Sequence, residues 1–343
     1  MRDTNVLFLW EVNERLKRYL TEQLSHVPEV QLIFPIDSTP ETLLNLAPKA
    51  DIMVGWRPSR ELLLAATHLS LFFNPGAGVQ HLIDLFREIN QERSLLLANG
   101  HGNSYFTAQH VVALLLSLTN KIIPHHNWMA DGQWRKRDTD ASSTPLRFRK
   151  VGLLGYGAVN QKVHCFLAGF DIEFFILRRN WKSNYEEELP TPARKFTPSE
   201  LQAFLREIDI LIVAVPLTSL TKGMIGSHEL ELLGSKGIVV NIARGEVVNE
   251  AALFNALRDR QLAGAALDVW YDYQPEEDFE GRKFPYDEEQ YPFHRLDTVV
   301  LSPHRGASPL DDLKRWDEVV YNIVQFATEK GTFINLVDLE REY

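Results

Sequence analysis

Val151-Gly-Leu-Leu-Gly155-Tyr-Gly157-Ala-Val-Asn160 is an apolar run that meets two glycines and then passes into a helical pattern. A strand that ends on Gly155-x-Gly157 and feeds a helix gathers backbone N–H groups at a helix N-terminus, where they can face a pyrophosphate. Alone, such a turn fits a ligand-free tight turn equally well. Its position adds weight, because it opens a series of strand-like runs: Val151–Leu154, Ile172–Leu177, Ile210–Val215, Ile238–Ile242, Gly264–Val269 and Thr298–Leu301. Six strands, most of them joined by helical stretches, make a doubly wound parallel sheet of dinucleotide-binding size. The expected phosphate cradle is Gly155, Gly157, Ala158 and Val159, while Asn160 stands where a third glycine would serve helix–strand packing.

Upstream, Val6–Trp10, Val30–Phe34, Ile52–Val54 and Leu69–Phe73 read as buried strands, with helical spacing over 12–25, 40–48 and 59–66. That alternation predicts a second parallel sheet. Residues 105–123 are apolar nearly all round, which predicts a helix buried on every side, between domains or between subunits. A polar segment, 131–149, reads as an arm or linker, and 271–297, acidic and aromatic with three prolines, as an irregular loop. A final helix is predicted over roughly 309–329, with Trp316, Val319, Val320, Ile323 and Phe326 at core spacing.

The chain has 343 residues, 45% of them hydrophobic and 24% charged, enough for about two globular domains. A net charge of −10 argues against a nucleic-acid partner, so any anionic ligand must be met by local arginines. The single cysteine, Cys165, leaves no disulfide framework or thiolate zinc site. Apolar runs such as Val111–Leu118 are too short to span a membrane and the first residues do not read as a targeting segment, so the cytoplasm is expected.

The strand Ile172–Leu177 runs into Arg178-Arg179-Asn180. A site selective for NAD usually places a carboxylate there, to accept from the ribose 2′-hydroxyl. Two guanidinium groups instead predict a 2′-phosphate and hence NADP, with NAD remaining possible and a solvated surface pair as the plain alternative.

Further on come Ala214-Val-Pro216-Leu-Thr218, Val240-Asn-Ile-Ala243-Arg244-Gly245, Ala263-Gly-Ala-Ala-Leu-Asp268-Val269 and Leu301-Ser-Pro303-His304, with Ile334-Asn-Leu-Val-Asp338 near the end. In order and spacing, from about residue 50 onward, this series closely resembles the D-isomer-specific 2-hydroxyacid dehydrogenase family. The resemblance implies an α/β protein of two domains. A Rossmann nucleotide domain, 104–304, would be inserted in a flavodoxin-like substrate domain made of 1–103 and completed by 305–343. It implies hydride transfer between NADP(H) or NAD(H) and a small 2-oxo acid or 2-hydroxy acid, such as glyoxylate or hydroxypyruvate, without a metal. Arg244 would bind the substrate carboxylate and polarise the 2-oxo group, and His304 would be the acid and base. Val215, Pro216, Ala243 and Asp268 would border the cofactor. Ala77 and Gly78, within Asn74-Pro-Gly76-Ala77-Gly78-Val79, would receive the carboxylate, and a homodimer would form through the nucleotide domain.

Each of these residues also has a plain reading: Arg244 could end a strand, and His304 is one of eleven histidines. The chain departs from the family where a Glu normally lies five residues after Asp268 and pairs with the histidine. Here Tyr273 occupies that position, Asp272 is the nearby carboxylate, and a one-residue insertion would bring in Gln274. Asp272 is expected to take the role, with Gln274 its rival. Gln109 replaces another usual Glu, with packing consequences expected. Trp56 and Arg57 are expected at the substrate tail, although an isolated aromatic is more often core. Arg305 could act like Arg57. Two other functions share these motifs: a formate- or phosphite-type oxidation, and a non-catalytic, cofactor-sensing partner protein of the corepressor kind.

Overall fold

Five short parallel strands organise the first of two units into which the chain divides, Met1–Asn103 with Pro309–Tyr343. A computed structural model describes residues 3–135, 141–181, 188–309 and 312–343. The strands are β1 (Thr4–Phe8), β2 (Val30–Ile33), β3 (Ile52–Val54), β4 (Leu71–Asn74) and β5 (Leu96–Asn99), in the order β2-β1-β3-β4-β5. This is the flavodoxin-like order. The central strands β1, β3 and β4 are buried at every position but Asn5, because helices cover both faces of the sheet. Side chains start those helices: Asn13 accepts the Leu16 N–H at 2.9 Å, and Ser59 the Leu62 N–H at 3.1 Å.

Strand β5 and the helix before it, Ile83–Glu92, were not expected. Leu96-Leu-Ala-Asn has no β-branched residue, so its strand state comes from pairing with β4 rather than from propensity. The C-terminal tail protects the outer edge of β5. Val337 N–H donates to the Leu97 carbonyl at 2.8 Å, and Asn99 N–H to the Asn335 carbonyl at 3.0 Å. The final helix spans Asp317–Ala327, shorter than expected; residues 310–311 of the predicted span lie outside the described residues.

The second unit is Ser104–Ser308. Its seven parallel strands are β6 (Lys150–Leu154), β7 (Glu173–Leu177), β8 (Ala193–Phe196), β9 (Ile210–Val213), β10 (Ile238–Asn241), β11 (Gly264–Leu267) and β12 (Val299–Leu301). Their order, β12-β11-β10-β9-β6-β7-β8, reverses direction at β6, the doubly wound arrangement. Six strands were expected. The seventh, β8, reads Ala-Arg-Lys-Phe and carries no apolar alternation, because it is an edge strand whose Arg194 and Lys195 face water.

The helix Ser104–Thr119 buries Ala108, Val111, Leu114 and Leu115 against the helix Ala158–Leu167 and the sheet. It is not buried on every side. Tyr105, Val112, Ala113 and Leu116, with Phe166, line an open apolar groove. The chain turns at Lys121, in a left-handed conformation, and a second helix, Ile122–Ala130, leaves Ile122, Ile123 and Met129 exposed. Residues 136–140 of the predicted arm lie outside the described residues. Among the described residues, no single helix is long and apolar enough to cross a membrane.

Candidate active site

The phosphate cradle forms where β6 enters the helix Ala158–Leu167. Gly155 has φ of +81°, and a Cβ there would lie 2.6 Å from the Ala214 carbonyl oxygen, so the turn requires glycine twice over. Its N–H donates to the Leu177 carbonyl at 2.8 Å, and its Cα faces Val215. Gly157 precedes the helix without any side-chain cap, which leaves the N-terminal amides around Ala158 and Val159 facing outward for an anion. Asn160 compensates for the absent third glycine. Its buried Nδ2 donates to the Gly155 carbonyl at 2.7 Å and the Leu154 carbonyl at 3.3 Å, tying helix to strand end by hydrogen bonds. Behind the turn, Tyr156 and Thr191 bond the two ring nitrogens of His164, both at 2.8 Å. Burial pushes that imidazole down to about 4, so it is neutral at ordinary pH.

Beyond β7, Arg178 is half-buried and Arg179 exposed. The Arg178 guanidinium lies 5.2 Å from the Trp181 ring centre, and Lys195 Nζ lies 4.9 Å from the same ring. Lys195 was missed by sequence reasoning because it arrives from β8, through the pairing of Ile176 with Lys195. A left-handed glycine, an uncapped helix end and this cationic group beyond β7 suit a dinucleotide bearing an extra phosphate. Pro216 and Ala243 sit past the ends of β9 and β10, at the same edge of the sheet.

Strands β11 and β12 pair up to Leu267 and Leu301, so the residues that follow them are neighbours. Asp268 is only 4% exposed. It accepts from Ser302 Oγ at 2.5 Å, the Arg305 N–H at 2.8 Å and the Gly306 N–H at 2.9 Å, and His110 Nε2 stands 3.4 Å away. Burial opposes its charge, but these donors outweigh burial and hold the carboxyl below its ordinary pKa. Its observed partners are thus mostly those of the loop that carries His304, with His110 reaching it from the helix Ser104–Thr119. Trp270 Nε1 adds a bond to the Ser302 carbonyl at 2.8 Å. His304 itself is left-handed, with φ of +55°, a conformation that the flanking bonds to Asp268 hold in place.

Arg244 follows β10. The Asn241 side chain closes the turn around it, accepting the Ala243 N–H and donating to the Arg244 carbonyl, both at 3.1 Å. Gly245 allows the turn to press on the next strand end, since a Cβ there would lie 2.2 Å from the Trp270 carbonyl oxygen. One of the five guanidinium N–H donors bonds the Ala243 carbonyl at 2.7 Å. Burial lowers the Arg244 pKa, though arginine remains charged. His304 is exposed at the rim, yet the protein mass around it and then the nearby Arg244 charge push its pKa below the ordinary imidazole value.

The partner of His304 differs from expectation. Asp272 is turned away: its Oδ1 accepts the Gln274 N–H at 2.8 Å and its own N–H donates to the Pro285 carbonyl at 2.9 Å. This exposed turn holds the backbone of Asp272 and Gln274 and points the residue between them at the histidine. Tyr273 Oη lies 2.9 Å from His304 Nδ1. The expectation for Asp272 is therefore corrected, and Gln274 does not replace it.

In the first unit, Asn74-Pro-Gly76-Ala77-Gly78 is pulled inward by its carbonyls. Asn74 Nδ2 donates to the Gly76 carbonyl and, at 3.4 Å, to that of Gly78, while Asn99 Nδ2 donates to the Ala77 carbonyl at 2.7 Å. Trp56 is 41% exposed; its ring lies 4.8 Å from that of Trp10 and borders Gly76. Its carbonyl bonds His81 Nε2 at 2.7 Å, and Arg57 is exposed beside it.

Residues 112–306 match the D-isomer specific 2-hydroxyacid dehydrogenase family, in its NAD binding domain. The chain is similar to a glyoxylate reductase of Pyrococcus furiosus, 33% identical over 64% of this chain and 62% of that protein. It is also similar to a glyoxylate reductase of Thermococcus litoralis, 30% identical over 80% of this chain and 79% of the relative. Among solved structures, a D-isomer specific 2-hydroxyacid dehydrogenase from Xanthobacter autotrophicus, in complex with NADPH and MES, shares the fold. Its TM-score is 0.75 at 23% identity, over 99% of this chain and all of that one.

Proposed function

The chain belongs to the D-isomer-specific 2-hydroxyacid dehydrogenase family, and we propose that it reduces a small 2-oxo acid of the glyoxylate or hydroxypyruvate kind with NADPH. The observation that carries this reading is the convergence of Arg244 and His304 at the ends of β10 and β12 of one sheet, the histidine loop being locked by Asp268.

Arg244 holds the substrate carboxylate and draws electron density from the 2-oxo group, a task for a planar, permanently charged donor. His304 gives its Nε2 proton to the forming alkoxide, and takes it back in the reverse direction. The nicotinamide, when bound, supplies the hydride. We assign its diphosphate to Gly155, Gly157, Ala158 and Val159, its 2′-phosphate to Arg178, Arg179 and Lys195, and its nicotinamide side to Val215, Pro216, Ala243 and Asp268. In the first unit, Ala77 and Gly78 are assigned to the carboxylate, with Trp56 and Arg57 to the substrate tail. The open groove of Tyr105, Val112, Leu116 and Phe166 supports a homodimer in which a second copy covers it.

Initial rates of NADPH and NADH oxidation against small and bulky 2-oxo acids test the reading. Turnover with a preference for NADPH is the expected result. Equal rates with NADH would remove the 2′-phosphate assignment and keep the reaction class. Cofactor binding without turnover on any 2-oxo acid would overturn the function.

A further inference from the structure

Within the second unit, Arg244, Asp268 and Tyr273 bear on the proton of His304. Arg244 contributes a positive charge, and Asp268 a negative one that is already engaged by Ser302, Arg305 and Gly306. Arg305, next in the chain, is exposed. Tyr273 meets the imidazole directly, its hydroxyl 2.9 Å from Nδ1 and its ring edge-on at 5.3 Å. The Tyr273 oxygen also receives the Trp270 N–H at 3.4 Å. A phenol oxygen can accept from Nδ1–H or donate to a bare Nδ1, and of the two only the Nδ1–H form leaves the lone pair on Nε2, where a base that exchanges the substrate proton needs it.

We propose that Tyr273 is the positioning residue of His304, its hydroxyl holding the ring and the Nδ1–H tautomer while adding no negative charge beside them. The proposal rests on the reading that His304 exchanges the substrate proton. Burial raises the Tyr273 phenol, so it stays neutral wherever the histidine titrates. Nothing from this partner then offsets the burial and the Arg244 charge that depress His304. The protonated imidazole, needed as acid in reduction, is present only below its depressed value; the neutral base, needed in oxidation, prevails above it. Reductive kcat/KM therefore falls as pH rises through a point below about 6.5, and oxidative kcat/KM rises through the same point.

The test combines rates with 15N-histidine NMR on the full chain, His304 being assigned through His304→Gln. Tyr273→Phe is expected to mix the two neutral tautomers and lower kcat by about 10-fold, leaving the titration midpoint within about half a pH unit because no charge has changed. Tyr273→Glu is expected to raise the midpoint by about one pH unit or more, and the alkaline limit of reduction with it. An intact tautomer and kcat in Tyr273→Phe, or an unmoved midpoint in Tyr273→Glu, would overturn the proposal. The NMR arm needs no turnover, so failure of the unchanged protein to reduce any 2-oxo acid would defeat the functional reading separately.

Discussion

Two loops at the C-terminal ends of parallel strands are fixed in opposite ways. In Asn74–Val79, buried amide side chains donate to the loop carbonyls of Gly76, Ala77 and Gly78. In Ser302–Gly306, a buried carboxylate accepts from the loop N–H groups of Arg305 and Gly306. A loop whose carbonyls are occupied turns its amides outward and suits an anion. One whose amides are occupied has a fixed backbone from which to present a side chain, here His304. The chemistry of the buried anchor thus decides whether the loop offers main chain or side chain.

The largest expected effect comes from removing the charged anchor. Asp268→Ala leaves buried donors at Arg305, Gly306 and Ser302 without their acceptor, which should destabilise the protein by about 3–5 kcal/mol, measured by denaturant unfolding. Activity should fall with it, because the left-handed His304 loses its support. A loss below 1 kcal/mol would mean that the loop holds itself, and the contrast between the loops would collapse.

The next effect separates the two units by pH. Asparagine anchors do not titrate, whereas the second unit relies on titratable groups. His164 is fully buried and depressed to about 4, so the unfolded chain binds its proton first. Stability should fall as pH drops from about 6.5 to about 4, by roughly 3 kcal/mol from this group. Asp268 acts later: its contribution is complete above the unfolded value of about 3.9 and is lost as pH falls further. Hydrogen exchange at falling pH should therefore show opening near His164 before any near Asn74. Simultaneous opening of both would remove the distinction.

The smallest effect tests the neutral anchor. Asn99→Ala removes one bond, to the Ala77 carbonyl, and should cost about 1 kcal/mol. On the proposed function, it should raise KM for the 2-oxo acid several-fold and leave kcat nearly unchanged. A change in kcat alone would assign that loop to something other than substrate binding.

The strands that sequence reading missed, β5 and β8, share one physical cause. Leu96–Asn99 lacks β-branched residues and Ala193–Phe196 lacks apolar alternation, so neither advertises itself locally. Both exist because a neighbouring strand was already in place to pair with them. Lys195 became visible as a companion of Arg178 only after that pairing. The long apolar helix keeps an open face within this chain, and composition does not say whether a face is covered by the same chain or by another.

What the sequence by itself determined was the parallel strand series that opens on Gly155, and the presence of Arg244 and His304 at strand ends. Short-range chemistry suffices for these: strand periodicity, glycine at a turn, and the direction a parallel strand must run. What only the tertiary structure decided was which side chain meets His304. Asp272, Tyr273 and Gln274 are consecutive and all polar, and the conformation of the local backbone selects among them. That conformation is set by Pro285, thirteen positions away, and by the bond from Gln274 to Asp272. A choice made by a distant backbone carbonyl leaves no mark in local sequence.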